Sequence, residues 1–152
     1  MTPDLLFSVT STLAMLAWVL LVLLPGRTWV TRSIAGFAVP ALLAAVYVAL
    51  VATQWGGSQG GFSTLSGVAQ LFANPWLLLA GWVHYLCFDL LIGCWEARDG
   101  RRRGMPHLLL VPCLLLTFMF GPAGWLLYQG ISARHRPRID PPPRPRSGTA
   151  SA

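Results

Sequence analysis

Four long apolar segments, separated by short polar or glycine- and proline-containing stretches, dominate the chain. They cover residues 5–24, 34–53, 76–95 and 108–128. Each is close to the roughly 20 apolar residues that an α-helix needs to cross a bilayer. Pro25 and Gly26 follow the first segment and are typical of a helix end. The pattern therefore predicts an all-α protein, an integral membrane four-helix bundle.

A fifth, shorter helix is predicted between the second and third segments. Residues 62–73 have amphipathic spacing, and Ser63 is a residue type that caps helix N-termini. A helix of this length is too short to cross a bilayer, so it is predicted to lie at the membrane interface. Asn74 and Pro75 then supply a cap and a first-turn proline for the third span.

The arginines predict the orientation of the helices. Arg27 and Arg32 follow the first segment, the stretch 96–107 is predicted to be a compact loop with further arginines, and the stretch 54–75 has none. Because cytoplasmic loops are enriched in Arg and Lys, the N-terminus is predicted to lie outside, with the first and third connections in the cytoplasm. Four full crossings would then leave the Arg-rich C-terminal stretch outside, against the same rule.

A glycine- and proline-rich break interrupts the fourth segment at residues 120–124. Pro122 removes a backbone donor and frees the carbonyl of Phe118. In lipid that carbonyl needs another partner or a cavity. Two interpretations follow: the segment crosses the membrane with a kink, or it turns back as a re-entrant element. Four crossings are the favoured interpretation.

Composition excludes an ordinary soluble domain. The chain has 55% hydrophobic and 11% charged residues, whereas soluble proteins have about 25% charged residues. Its basic residues are all arginines at the edges of apolar segments, where they suit anionic headgroups. Membrane lipids are therefore the predicted partners, and binding to nucleic acid is not predicted. Residues 1–130 are predicted to form one transmembrane domain, and residues 131–152 a disordered Arg- and Pro-rich tail.

Two ionisable side chains, His84 and Asp89, lie well inside the third apolar segment. Such groups are costly in hydrocarbon, so they are predicted to be shielded by other helices and are candidates for acid–base chemistry. Five residues apart, they project about 140° from each other. The alternative, that they only hold helices together, stays open. Cys87, Cys94 and Cys113 show no metal-binding or disulfide spacing.

The motifs around these residues resemble those of the abscisic-acid-deficient-four-like family of small membrane proteins. The resemblance rests on Ala80-Gly81-Trp82-Val83-His84-Tyr85, Phe88-Asp89-Leu90, Arg98-Asp99, Arg102-Arg103-Gly104, Pro106-His107 and Phe120-Gly121-Pro122-Ala123-Gly124. It covers residues 62–128 well and the first two spans by pattern. The compact chain resembles a bacterial-type member, which implies the bacterial inner membrane as its location.

The resemblance implies a role related to neoxanthin synthesis, in which an epoxide opens to an allene. That isomerisation needs an acid and a base but no redox cofactor, so none is predicted. His84 and Asp89 match the family motif as catalytic residues, and His107 matches more weakly. A carotenoid or related isoprenoid is the implied ligand; the residues predicted to contact it are Trp82, Tyr85, Phe88, Phe120 and Pro122. The alternative is a non-catalytic membrane scaffold or lipid-binding accessory protein.

Overall fold

The computed structural model describes residues 2–135, which form helices joined by short connections and contain no β-strand. Helix α1 spans Pro3–Leu23. A π-helical segment, Trp29–Ala38, continues into α2 (Val39–Gln54), which ends in a 3₁₀ turn at Trp55–Gly57. A short helix, α3, spans Leu65–Phe72, and two long helices follow, α4 (Pro75–Arg102) and α5 (His107–Ser132). The predicted all-α class is confirmed.

The four long apolar segments all form helices of sufficient length and hydropathy to cross a membrane. Local sequence signals set several of their ends. The Asn74 side chain accepts a hydrogen bond from the Trp76 amide at 2.9 Å, with Pro75 in the first turn of α4, as predicted. Helix α1 ends at Leu23, just before Pro25-Gly26. The sequence motifs quoted above lie on α4, on α5 and in the connection between them.

Helix α4 is the centre of the molecule, because α1, α2, α3 and α5 all pack against it. Helix α1 runs parallel to it: Phe7 stacks near Trp82, and Trp18 lies against Gly93. Any side chain at Gly93 would overlap the Trp18 indole. Helix α2 runs antiparallel, since its later residues contact earlier residues of α4. The C-terminal ends of α1 (Leu23) and α4 (Arg102) and the start of the π-helical segment (Trp29) therefore lie at the same end of the protein. We call this end the arginine face.

The prediction of a polar loop over residues 96–107 is wrong for most of that stretch. Helix α4 continues to Arg102, and only residues 103–106 connect it to α5. The charged residues Glu96 and Arg98 are therefore helical. The reason is that one side of this last part remains apolar and small: Gly93, Ala97 and Gly100 are buried and continue the helical packing face into the charged region.

Helix α5 is a helical hairpin. Its backbone leaves helical geometry at Phe120 (φ −142°, ψ 39°) and Gly121 (φ 14°, ψ −82°). A side chain at Gly124 would collide with the backbone nitrogen of Thr117. In a straight helix these two residues would be separated by about 10 Å along the axis. The limbs 107–119 and 122–132 therefore pack against each other, and the chain reverses between them.

Contacts with α4 show that α5 both begins and ends at the arginine face. The hairpin tip lies at the level of Asp89, where a Cβ atom on Gly121 would be 2.6 Å from Asp89 Oδ1. Near the other end, the Tyr128 hydroxyl donates to Asp99 at 2.7 Å, and Arg103 Nη1 donates to the His135 carbonyl at 3.4 Å.

The geometry of this hairpin supports the re-entrant interpretation of the fourth segment over the favoured interpretation of four crossings. The limbs are roughly 20 Å and 16 Å long, short of the roughly 30 Å hydrocarbon core. Although α5 is long and apolar enough to cross if it were straight, its contacts support the re-entrant alternative. Within residues 2–135 the structure thus has three helices of membrane-crossing length and a helical hairpin whose limbs are shorter than that length. Its first resolved tail residues lie on the arginine face, and residues 136–152 of the predicted tail lie outside the described residues.

The short helix between the second and third spans is present, with a different start. Thr64, not Ser63, is its N-cap, and the Thr64 hydroxyl accepts a hydrogen bond from the Gly67 amide at 3.1 Å. The helix covers eight residues. Leu71 is its buried residue, whereas Leu65 is 87% exposed. Helix α3 packs on α4 and so helps to enclose the site described next.

Candidate functional site

His84 faces a lateral cleft of about 280 Å³ between α2, α3 and α4. We call it the His84 cleft. Its other lining residues are apolar or aromatic: Tyr47, Val51, Trp55, Phe62, Leu71, Phe72, Leu77, Ala80 and Gly81. An apolar concavity with one convergent polar group is typical of a site for a lipophilic ligand.

Helix α3 forms one wall of the His84 cleft through a close approach to α4. A Cβ atom on Gly81 would lie 3.2 Å from the Phe72 ring, so glycine allows the ring to sit against the α4 backbone. Trp55 and Phe62 form an aromatic pair farther out, with ring centroids 5.4 Å apart. Both are exposed on the outer side. The cleft is therefore walled by rings and opens sideways, in the direction from which a molecule dissolved in lipid would arrive.

The His84 imidazole is held by aromatic contacts. It stacks on the Phe88 ring at 4.6 Å and meets the Tyr47 ring edge-on at 5.5 Å. His84 itself is exposed. The prediction that surrounding helices shield both ionisable groups is therefore wrong for His84, because α2 and α3 leave the cleft open beside it.

Asp89 lies on a different side of α4, against the tip of the α5 hairpin. Its Oδ2 atom is buried and has no hydrogen-bond partner within residues 2–135. Gly121 makes this contact possible, since a side chain there would displace the carboxyl group. The side chain as a whole is half-buried, so the shielding predicted for Asp89 is observed in part. A buried carboxyl oxygen without a partner is costly, and the position therefore remains a candidate for function.

Tyr85 satisfies the backbone that the hairpin break sets free. Its hydroxyl donates to the Phe118 carbonyl at 3.2 Å and lies 3.3 Å from the Met119 carbonyl. The sequence predicts that the Phe118 carbonyl needs a new partner, and Tyr85 is that partner. In an apolar environment this hydrogen bond fixes the end of the first limb against α4.

We expect Tyr85→Phe to destabilise the hairpin by about 1–2 kcal/mol, because the Phe118 carbonyl would lose its donor while the ring packing is kept. Thermal unfolding of the purified protein in detergent measures this. The matched control is Tyr47→Phe, since the Tyr47 hydroxyl makes no hydrogen bond within residues 2–135. Equal losses in the two variants would contradict the role given to Tyr85.

The three predicted catalytic residues do not converge on one reaction centre. His84 faces α2 and α3, whereas Asp89 faces the hairpin tip, as the 140° separation predicts. His107 is the first residue of α5, exposed near the arginine face. The end of α4 at Arg102, next to His107, is 18 residues beyond His84, or roughly 27 Å along the helix axis. A single substrate atom could not contact all three.

The residues predicted to contact a ligand are also divided between surfaces. Phe88 stacks on His84, beside the cleft. Trp82 lies on the α1 side, where its indole donates to the Ser11 hydroxyl at 2.9 Å. Phe120 is 62% exposed at the hairpin tip, and Pro122 next to it is also exposed. Direct ligand contact at these positions stays a prediction.

Sequence reasoning missed a second row of polar contacts, between α4 and the hairpin. Glu96 is completely buried and accepts a hydrogen bond from the Thr117 hydroxyl at 2.9 Å. Asp99 accepts from Tyr128 and from Arg103. Its hydrogen bond to Arg103 raises the pKa of that guanidinium further above its usual range. The signal was the seven-residue spacing of Asp89 and Glu96, which places both on one helical stripe.

Comparison with known proteins gives one finding. The family model described as ABA4-like, ABA DEFICIENT 4-like, matches residues 5–128. No curated protein and no solved structure gives a significant match. The matched range includes α2, α3 and α4 completely, most of α1 and α5, the His84 cleft and the hairpin tip. Together with the long apolar helices, this match supports a membrane protein of this family.

Proposed function

Because the chain belongs to the ABA DEFICIENT 4-like family, we propose that it is a cofactor-independent isomerase of a lipophilic isoprenoid epoxide, such as a carotenoid. The observation that carries the proposal is the His84 cleft: a laterally open, ring-lined space with an imidazole at its wall. We place it in the cell membrane, which in a bacterium is the inner membrane. Membrane lipids and the isoprenoid are its partners.

The shape of the cleft supports a long apolar substrate. A volume of about 280 Å³ accommodates one end of a polyene, and the remainder would extend past the exposed Trp55–Phe62 pair into the bilayer. Flat rings such as Phe72 and Tyr47 suit contact with a cyclic end group. The substrate would therefore enter sideways, with its polar end group beside His84.

His84 can carry out both proton transfers of the isomerisation. The imidazolium N–H protonates the epoxide oxygen as the C–O bond breaks, and the resulting neutral imidazole accepts the proton lost from the neighbouring polyene carbon. The allene and the new hydroxyl group contain the same atoms as the substrate, and His84 returns to its starting state. General acid–base groups of this kind contribute about 10²–10⁴-fold to a rate.

Conversion of an epoxidised carotenoid by the protein in liposomes tests the proposal. Chromatography of the extracted pigments measures the allenic product. We expect His84→Gln to reduce the rate at least about 100-fold, because Gln keeps polarity but cannot exchange a proton near neutral pH. Helix content and elution from size exclusion should be unchanged, since His84 makes only aromatic contacts.

Two further variants locate the chemistry. Asp89→Asn should retain most of the activity, because Asp89 faces the hairpin and not the cleft. His107→Gln removes the same residue type at a distant position. If Asp89→Asn or His107→Gln abolished turnover and His84→Gln did not, the reaction centre would lie elsewhere and the proposal would be wrong.

A lipid-binding accessory protein is the second candidate function. The paired groups Glu96–Thr117 and Asp99–Tyr128 favour it, since they show that most polar side chains between α4 and α5 hold helices together. In that case the His84 cleft would bind an isoprenoid without converting it. Mass spectrometry of co-purified lipids, combined with absence of turnover by the wild-type protein, would support this function over the first.

A further inference from the structure

A second cleft, of about 380 Å³, lies at the arginine face. It is formed by the turn between α1 and α2, the π-helical segment and the last part of α4. We call it the arginine cleft. The residues that line it are Pro25, Thr28, Thr31, Arg32, Arg98, Arg101 and Arg102. Four guanidinium groups from two separate elements therefore border one space.

Two of these guanidinium groups are fixed by the backbone opposite them. Arg98 Nη1 donates to the Thr31 carbonyl at 2.6 Å, and Arg101 donates to the Gly26 carbonyl. Gly36 makes the first contact possible, because a side chain there would collide with the Thr31 carbonyl and lie 3.2 Å from Arg98 Nη1. Each guanidinium has five N–H donors in a rigid plane, so further donors remain after one is used.

No carboxylate lines the arginine cleft within the part of the chain that the structure describes. The nearby acids face the hairpin instead: Glu96 is buried against Thr117, and Asp99 is paired with Arg103. Four like charges around one concavity repel one another. An anion with several oxygens would relieve this repulsion and accept from more than one guanidinium at a time.

We infer that the arginine cleft is a binding site for a phosphate group, carried either by a membrane lipid headgroup or by a soluble phosphate or diphosphate. Arg98 and Arg101 are held in place to donate hydrogen bonds to such a group. Arg32 and Arg102 approach it from the exposed side, and the Thr28 hydroxyl adds a neutral donor. The site is independent of the His84 cleft, which lies about 20 Å away along α4.

Binding measurements in detergent at constant ionic strength test this inference. The soluble probe is sodium pyrophosphate, and the lipid probe is short-chain phosphatidic acid, with short-chain phosphatidylcholine as its zwitterionic control. We expect saturable binding of one or both anionic probes. Loss of two charge-assisted contacts in the double variant Arg32→Gln/Arg102→Gln should weaken the affinity at least about tenfold. Both side chains are exposed, so the variant should fold.

Arg27→Gln is the matched control, because Arg27 lies in the same turn but does not line the cleft. It removes one positive charge and should change the affinity less than about twofold after allowance for salt screening. Saturation by pyrophosphate alone would identify a soluble ligand, and saturation by phosphatidic acid alone a lipid headgroup. Absence of saturation with both probes, or an Arg27→Gln effect equal to that of the double variant Arg32→Gln/Arg102→Gln, would overturn the inference.

Discussion

A cysteine introduced as Arg134→Cys should react with a membrane-impermeant maleimide from the same side of the membrane as Arg102→Cys. The reason is the α5 hairpin, which returns residues 128–135 to the last turns of α4. A straight helix of 26 residues would instead carry position 134 about 39 Å away, to the opposite side. Labelling of intact spheroplasts and of inverted vesicles measures the side directly, and the expected difference is all or none.

Gln59→Cys supplies the opposite reference in this experiment. Gln59 follows the second helix at the end away from the arginine face and is exposed. The native Cys87, Cys94 and Cys113 are buried and should give little background. If position 134 were labelled from the same side of the membrane as position 59, and from the side opposite to position 102, α5 would cross the membrane.

Gly124→Ala should destabilise the protein by about 2 kcal/mol or more and lower the midpoint of thermal unfolding by roughly 5 °C or more. The added methyl group would meet the Thr117 backbone, which cannot move away as a flexible side chain could. Overpacking against backbone outweighs the gain of up to about 1 kcal/mol that alanine has over glycine in a helix. Circular dichroism of the detergent-solubilised protein follows the loss.

Gly130→Ala is the matched control for this variant. Gly130 lies on the same limb, and an added Cβ atom there would have no neighbour within 4 Å. The same substitution should therefore be neutral or slightly stabilising, as helix propensity alone requires. If both variants were neutral, the two limbs of α5 would not be in contact, and the hairpin itself would be in doubt.

Hydrophobic length predicted the helices well, because the need to satisfy backbone hydrogen bonds leaves few alternatives for long apolar segments. It predicted the end of α4 poorly. The charged residues Glu96 and Arg98 led to the prediction of a loop. The small buried residues Gly93, Ala97 and Gly100 instead keep that part of the helix packed. The spacing of these small residues by four and then three positions was readable in the sequence.

The hairpin shows where local signals stop being informative. Phe120-Gly121-Pro122 marked a break, and the freed carbonyl of Phe118 was predicted. The direction of the chain after the break depends on distant contacts, Gly124 with Thr117 and Tyr128 with Asp99. The same holds for His84: its position on α4 was readable, but its exposure depends on how α2 and α3 pack beside it.

With both ends of α5 on the arginine face, every arginine within residues 2–135 belongs to one end of the molecule: Arg27, Arg32, Arg98, Arg101, Arg102, Arg103 and Arg134. A potential of about 100 mV contributes roughly 2.3 kcal/mol for each elementary charge moved through it. Asp99 offsets one of these charges at Arg103, so inserting the protein in the inverted orientation would carry the remaining charges against the field, roughly 14 kcal/mol of electrical work. An energised membrane therefore selects a single insertion orientation.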